Sequence, residues 1–233
     1  MIPLRDDAPR AGTPLVTYFL LAVNIAVFLF EKTLDPRSLT LLTYQFGVVP
    51  YFVESALRGV NGVPLEAAIV PIFTSMFMHA STLHLVGNMW ALWIFGDNIE
   101  DHLGQFRYLM LYLLSGIAAA ILHVLFNQGS QIPTVGASGA IAGVMGAYFL
   151  LFPSARVLTV VPFVFMFVWL PAWVVLGYWF LAEFLSGAAN SLNHADAAAV
   201  GGVAFWAHVG GFIAGITLIK LFPSRAPRYS FSK

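Results

Sequence analysis

The sequence predicts an all-α membrane protein, a bundle of six transmembrane helices with both termini on the cytoplasmic side. Three observations carry that expectation. Hydrophobic residues make up 59% of the 233-residue chain and charged residues only 9%. Soluble domains carry roughly 25% charge, so much of this surface must face lipid. Apolar segments recur at about residues 14–30, 79–97, 106–126, 138–152, 157–185 and 203–222, each suited to a helical span. Finally, six crossings would gather Arg5, Arg10, Arg107, Arg156, Lys220, Arg225, Arg228 and Lys233 on one side and leave Lys32, Arg37 and Arg58 on the other, eight against three. The positive-inside rule then puts the side with both termini in the cytoplasm.

Composition also excludes. The 11 basic and 11 acidic residues cancel and form no basic block, so a nucleic-acid partner is not expected. With no Cys there are no disulfides, thiolate metal sites or Cys nucleophile. The first apolar run lacks a small-residue cleavage site after it and reads as a retained span, not a signal peptide.

Taken in order, residues 1–13 read as a polar cytoplasmic tail. Thr13 is the expected N-cap of the first span, with Pro14 at its first helical position. Asn24, in the middle of that span, is expected to hydrogen-bond to another helix. Residues 31–78 are too apolar for a solvated loop. Their aromatic and aliphatic residues, mixed with Glu54, Arg58 and Glu66, suit short helices lying in the interface. The second span has its apolar body at 83–95, and the third, 106–126, is followed by an uncharged, turn-rich connection.

The fourth span starts at Ser138 and stops before Pro153. Its fifteen residues cover about 22 Å, less than the roughly 30 Å of a hydrocarbon core, so one end must lie below the membrane surface. Pro162 and Pro171 predict kinks in the fifth span. A Gly/Ala/Asn-rich loop with His194 and Asp196 precedes the sixth, and a basic cytoplasmic tail, 223–233, ends the chain.

Three polar sites stand out against this apolar background: His84 with Asn88 in HASTLHLVGN, Ser138 in GASG, and His208 in AHVGG. No charge lies within ten residues of GASG on either side. With the N-terminus inside, spans two, four and six all run from the outer to the inner face. His84, Ser138 and His208 each fall near the start of one, so they share a depth toward the outer face. Ser138 sits at the recessed end of the short span, below a hollow that water fills. The non-helical Gly136-Ala137 backbone lines that hollow and is assigned to substrate binding. Gly139, Gly143 and Gly146 on span four and Gly211 and Gly215 on span six form small-residue faces that let the two helices approach closely.

The chemistry follows from the residue types. A Ser hydroxyl needs a base to take its proton, and neutral imidazole does this near neutral pH. Ser138 is the expected nucleophile and His208 the base. His84, the Asn88 amide and the Ser138 N–H at a helix N-terminus are the donors expected to hold an oxyanion. No Asp or Glu is placed to complete a triad, so the expectation is a Ser–His dyad, with His208 oriented by packing or a backbone carbonyl.

At these residues the chain resembles a rhomboid intramembrane serine protease. The resemblance runs from Leu15 to Leu221 and rests on HASTLHLVGN, on NIEDHLG at 98–104, on GASG and on AHVGG. It implies a six-helix protease domain over 14–222, Ser138 as nucleophile, His208 as general base, His84 and Asn88 in the oxyanion hole, and Glu100 in a structural role. It also implies a serine endopeptidase without cofactor or metal, acting on single-span membrane proteins in the lipid bilayer. In many members an Arg follows the Glu matching Glu100 by two residues, where this chain has His102. Some carry a Tyr against the catalytic His, where this chain has Ala142.

Other readings carry less weight. The metalloprotease signature HExxH is absent, an aspartyl site would need a partner for Asp97, and a zinc ion on His79, His84 and His208 would need demanding geometry. A non-catalytic relative that binds membrane segments and a small-molecule transporter remain the alternatives, although the polar groups gather at one depth instead of lining a route. Compactness points to a multi-pass protein of a bacterial cytoplasmic membrane with its site open to the outer face.

Overall fold

The computed structural model describes residues 1–161, 166–193 and 204–223. Its helices are α1 (Leu15–Glu31), α2 (Pro36–Phe46), α3 (Pro50–Arg58), α4 (Glu66–Thr74), α5 (Thr82–Leu103), α6 (Gln105–Phe126), α7 (Ser138–Leu151), α8 (Ala172–Asn193) and α9 (Phe205–Leu221). Three strands accompany them: β1 (Ile2–Asp6), β2 (Arg156–Val161) and β3 (Met166–Pro171). Gln105–Phe126 and Ala172–Leu192 are long and apolar enough to cross a membrane. The bent pair Glu66–Phe77 and Thr82–Leu103, 78° apart, adds a third if taken as one span. Leu15–Glu31, Ser138–Leu151 and Phe205–Leu221 are apolar but shorter.

The centre of the fold is α7, because its sequence is small or apolar on every face and a helix of that kind can only be buried. Every residue from Gly139 to Tyr148 is buried. A Cβ at Gly211 would overlap the carbonyl oxygen of Gly139, one at Gly215 that of Gly143, and one at Gly146 that of Phe212. The glycine faces of α7 and α9 therefore meet backbone to backbone. A Cβ at Gly143 would strike Ser115, so α6 closes on α7 as tightly from another side.

The fifth expected span is corrected. Residues 156–161 and 166–171 form a β-hairpin and the helix begins only at Ala172. The run is rich in Val, Phe and Trp, and apolar periodicity alone does not separate such a strand from a buried helix. Pro171 pairs with Arg156 at the hairpin's end instead of kinking a helix, and Pro162 lies outside the described residues. The N-terminal tail is corrected as well: β1 pairs antiparallel with β2, from Ile2 opposite Val160 to Asp6 opposite Val157. Asp7 receives the Arg156 Nε–H at 2.8 Å, and Arg5 and Arg156 lie over the Trp169 ring, 5.5 and 5.8 Å from its centroid. The expected loop with His194 and Asp196 and the tail beyond Pro223 fall outside the described residues.

The start of α1 differs too. Pro14 occupies the N-cap position, and no side chain of its own segment caps the helix, so Thr13 does not have that role. Glu100 of α5 does the work instead: Oε1 accepts the Val16 N–H at 2.9 Å, and Oε2 accepts the Thr17 N–H at 2.8 Å and the Thr17 hydroxyl at 2.9 Å. A carboxylate satisfies the orphan amides of a first turn and complements the helix dipole. Asn24 is buried, but its amide donates to Leu20 O of its own helix. The connection 31–78 folds as α2, α3, α4 and a 3-10 turn at Ser75–Phe77, with Asp35 capping α2 through the Arg37 and Ser38 amides.

Candidate active site

Ser138 is the first residue of α7, so its own N–H has no acceptor within the helix. His208 is the fourth residue of α9, its N–H bonded to Ala204 O. Because the glycine seam brings these two helix ends together, Ser138 Oγ lies 2.7 Å from His208 Nε2. The two residues named from sequence as nucleophile and base thus share a hydrogen bond across 70 positions.

His84 and Asn88 stand one turn apart on α5, which Ser81 starts by accepting the His84 N–H at 3.1 Å. Gly136 bears on His84 directly. Its φ of 142° lies where side chains are strained, and a Cβ there would come within 2.7 Å of the His84 Cε1 atom. The Gly136 N–H is held by Ser75 O at 2.9 Å, which fixes the chain as it enters α7. Asn88 is buried, and its Nδ2 lies 3.0 Å from His79 Nε2. An amide carries two hydrogens, so this bond leaves one for another acceptor. The His79 and His84 rings meet edge to face, centroids 5.2 Å apart.

These groups border one cavity of about 590 Å³, lined by His84, Asn88, His123, Gly136, Ser138 and His208 among others. His123 is pinned there by Thr134, whose hydroxyl is 2.8 Å from its Nε2. Ala137 does not line the cavity: its methyl is fully buried in the core. Of the two residues expected to bind substrate, only Gly136 borders the space. Gly139, Gly143, Gly146, Gly211 and Gly215 lie in the helix contacts below, and Glu100 caps α1 at the far end of α5. Among the described residues, no three His, Cys, Asp or Glu side chains are grouped to hold a metal ion.

The expectation that no Asp or Glu stands beside the pair is corrected by Glu183, which sequence reasoning did not connect to the site. Its Oε2 lies 2.8 Å from His208 Nδ1, so a carboxylate, not packing or a backbone carbonyl, faces the far side of the imidazole. The signal was available: Glu183 is a lone acid in an apolar stretch, FLAEFL, and ionisable groups at such positions are functional candidates. Placing the fifth span at 157–185 put Glu183 at its end, where a charge meets water at no cost. With the helix at Ala172–Asn193 it falls mid-helix.

Residues 66–225 match the family model described as the Rhomboid domain. The chain is 31% identical over 207 residues to Rhomboid protein 1, mitochondrial, of Saccharomyces cerevisiae, covering 86% of this chain and 51% of that protein. It is 30% identical over 136 residues to Rhomboid protease GluP of Bacillus subtilis, covering 58% of this chain and 24% of the relative. It is 46% identical over 76 residues to RHOMBOID-like protein 6, mitochondrial, of Arabidopsis thaliana, covering 33% and 24%. The chain thus spans about half the length of the yeast relative and less of the other two. The apolar helices and these relatives make it a membrane protein. Because two of the three are named as mitochondrial, they lend no support to a bacterial cytoplasmic membrane in particular.

Proposed function

This chain belongs to the rhomboid family, and on that premise we propose that it is an intramembrane serine endopeptidase. The observation that carries the reading is the 2.7 Å contact between Ser138 Oγ and His208 Nε2 at the edge of a cavity among apolar helices. In this reading the Ser138 hydroxyl gives its proton to His208 Nε2 as Oγ bonds to the scissile carbonyl carbon. The carbonyl oxygen becomes an oxyanion, for which the Ser138 N–H, the His84 ring and the free Asn88 amide hydrogen are the available donors. His208 returns the proton to the leaving amine nitrogen as the C–N bond breaks. It then takes a proton from the water that attacks the acyl carbon and returns it to Ser138 Oγ as the acyl–oxygen bond breaks.

The substrates in this reading are single-span membrane proteins in the bilayer, and no cofactor or metal takes part. Support comes from apolar side chains at the surface around the site, such as Leu83 at 82% exposed. Gly136, which borders the cavity with Ser138, would offer an extended substrate backbone and no side chain. All six apolar helices cross the membrane in this reading, with both termini on the cytoplasmic side and the site open to the outer face. The sheet and the Arg10–Asp97 ion pair at 2.7 Å then form the cytoplasmic end.

The test is cleavage of a model transmembrane substrate in detergent. Ser138→Ala and His208→Ala should each lower kcat by about 10⁴-fold or more with the melting temperature unchanged. A fluorophosphonate should label the parent protein and neither variant. Wild-type cleavage by either variant would end the proposal.

A further inference from the structure

An imidazole serves as base only in one tautomer. Nε2 must be bare to receive the Ser138 proton, so the single hydrogen of neutral His208 must sit on Nδ1, and what faces Nδ1 decides whether it does. We propose that Glu183 is a positioning residue for His208: its carboxylate accepts the Nδ1–H, leaves Nε2 bare toward Ser138, and balances the charge of the imidazolium formed on proton transfer. The inference rests on the reading of Ser138 and His208 as the reacting pair.

Three observations carry it. The Oε2 to Nδ1 distance is 2.8 Å, on the opposite side of the ring from the 2.7 Å contact to Ser138, so one line of hydrogen bonds runs from carboxylate to hydroxyl. The two side chains are only 12% and 16% exposed, and among the described residues His208 is the one hydrogen-bond partner of Glu183. A carboxylate on an apolar helix is costly unless paired, so its position needs a reason. Trp179, one turn before Glu183 on α8, packs its ring 5.8 Å from the His208 ring and limits how the imidazole can turn.

The competing account is that Glu183 merely ties α8 to α9. The two separate in a comparison of the whole enzyme with Glu183→Gln, Glu183→Leu and Glu183→Asp in detergent. The expected result is a kcat lowered by roughly 10²–10⁴-fold in the Gln and Leu variants with KM changed less than about twofold. A Gln can turn its NH₂ to Nδ1 and hold the wrong tautomer, whereas Asp keeps the charge and should recover part of the loss. Fluorophosphonate labelling should slow in parallel with kcat. The ¹⁵N spectrum of His208 should show Nδ1–H with Nε2 bare in the parent, and lose that preference in the Leu variant.

If the Gln and Leu variants melt earlier yet keep wild-type kcat per labelled site while Ser138→Ala is dead, Glu183 is only a tie and the inference falls alone. If Ser138→Ala or His208→Ala still cleaves, the catalytic reading falls and takes this inference with it. Should Leu fail to fold, the nearly isosteric Gln and its kcat decide the matter.

Discussion

The two ends of the bundle treat polar groups in opposite ways. At the end that holds Ser138, donors are left available: the first amide of α7, one hydrogen of Asn88 and the His84 ring all border a cavity. At the other end most of them are paired within the protein, Asn98 Oδ1 being an exception. Glu100 accepts three hydrogen bonds from the start of α1, Arg10 pairs with Asp97, Arg156 with Asp7, and Tyr148, near the C-terminal end of α7, donates to Asp6 of β1. Unsatisfied polar groups cost stability, so a cluster of them persists where they are needed for a ligand or a transition state, while satisfied ones hold elements together. In the proposed reading, one short helix thus has a reacting end and an anchoring end.

Changes at the reacting end should therefore alter rate and those at the anchoring end stability. After Ser138→Ala and His208→Ala, the largest effect is expected for His84→Ala and Asn88→Ala, each lowering kcat by about 10²–10³-fold through loss of an oxyanion donor, with little change in melting temperature. A kcat within threefold of the parent's for both would remove them from the reaction. Next comes the seam that joins the two ends. Gly215→Ala sets a methyl against the Gly143 carbonyl oxygen, which is backbone and cannot swing aside, and should cost about 1–3 kcal/mol in a denaturation series. Unchanged stability would mean that α7 and α9 separate more readily than their contact implies.

At the anchoring end, Glu100→Gln replaces a carboxylate that accepts three donors and should cost about 1–3 kcal/mol, leaving kcat per folded molecule as it was. A changed kcat with unchanged stability would reverse the assignment of ends. The smallest effect concerns Asp6, whose carboxyl burial pushes up to about 6. The folded chain then holds this proton more tightly than the unfolded one, so the Asp6 contribution to stability falls as pH rises from about 4 to about 6 and is constant above. After allowance for solvent screening the change is on the order of 1 kcal/mol. Measured by melting, the parent should lose about that much stability relative to the non-titrating Asp6→Asn variant between about pH 4 and about pH 6. Parallel curves would show that Asp6 titrates as it does in the unfolded chain.

Much of this was legible without coordinates. Ser138 opening a short, small-residue helix and His208 just inside another with its own glycine face gave the Ser138–His208 contact, because helix period and helix direction put both at one depth. Gly136 was marked as cavity backbone for the same reason. Ala137 was misjudged, since neighbouring residues at the mouth of a helix point in different directions, and one faces the core. Thr13 was misjudged because the cap of α1 comes from a residue 84 positions away, in another helix.

By itself the sequence determined which segments are apolar, which faces are small enough to touch, and that Ser138 and His208 share one depth, all of which follow from patterns repeating within a few turns of one chain segment. Only the tertiary structure decided that residues 156–161 and 166–171 leave the helical pattern to pair as strands, that residues 2–6 complete their sheet, and that Glu183 stands behind His208. A strand needs a partner, and a buried carboxylate needs a cation or a donor. Both requirements are met from distant parts of the chain, so no local pattern could state them.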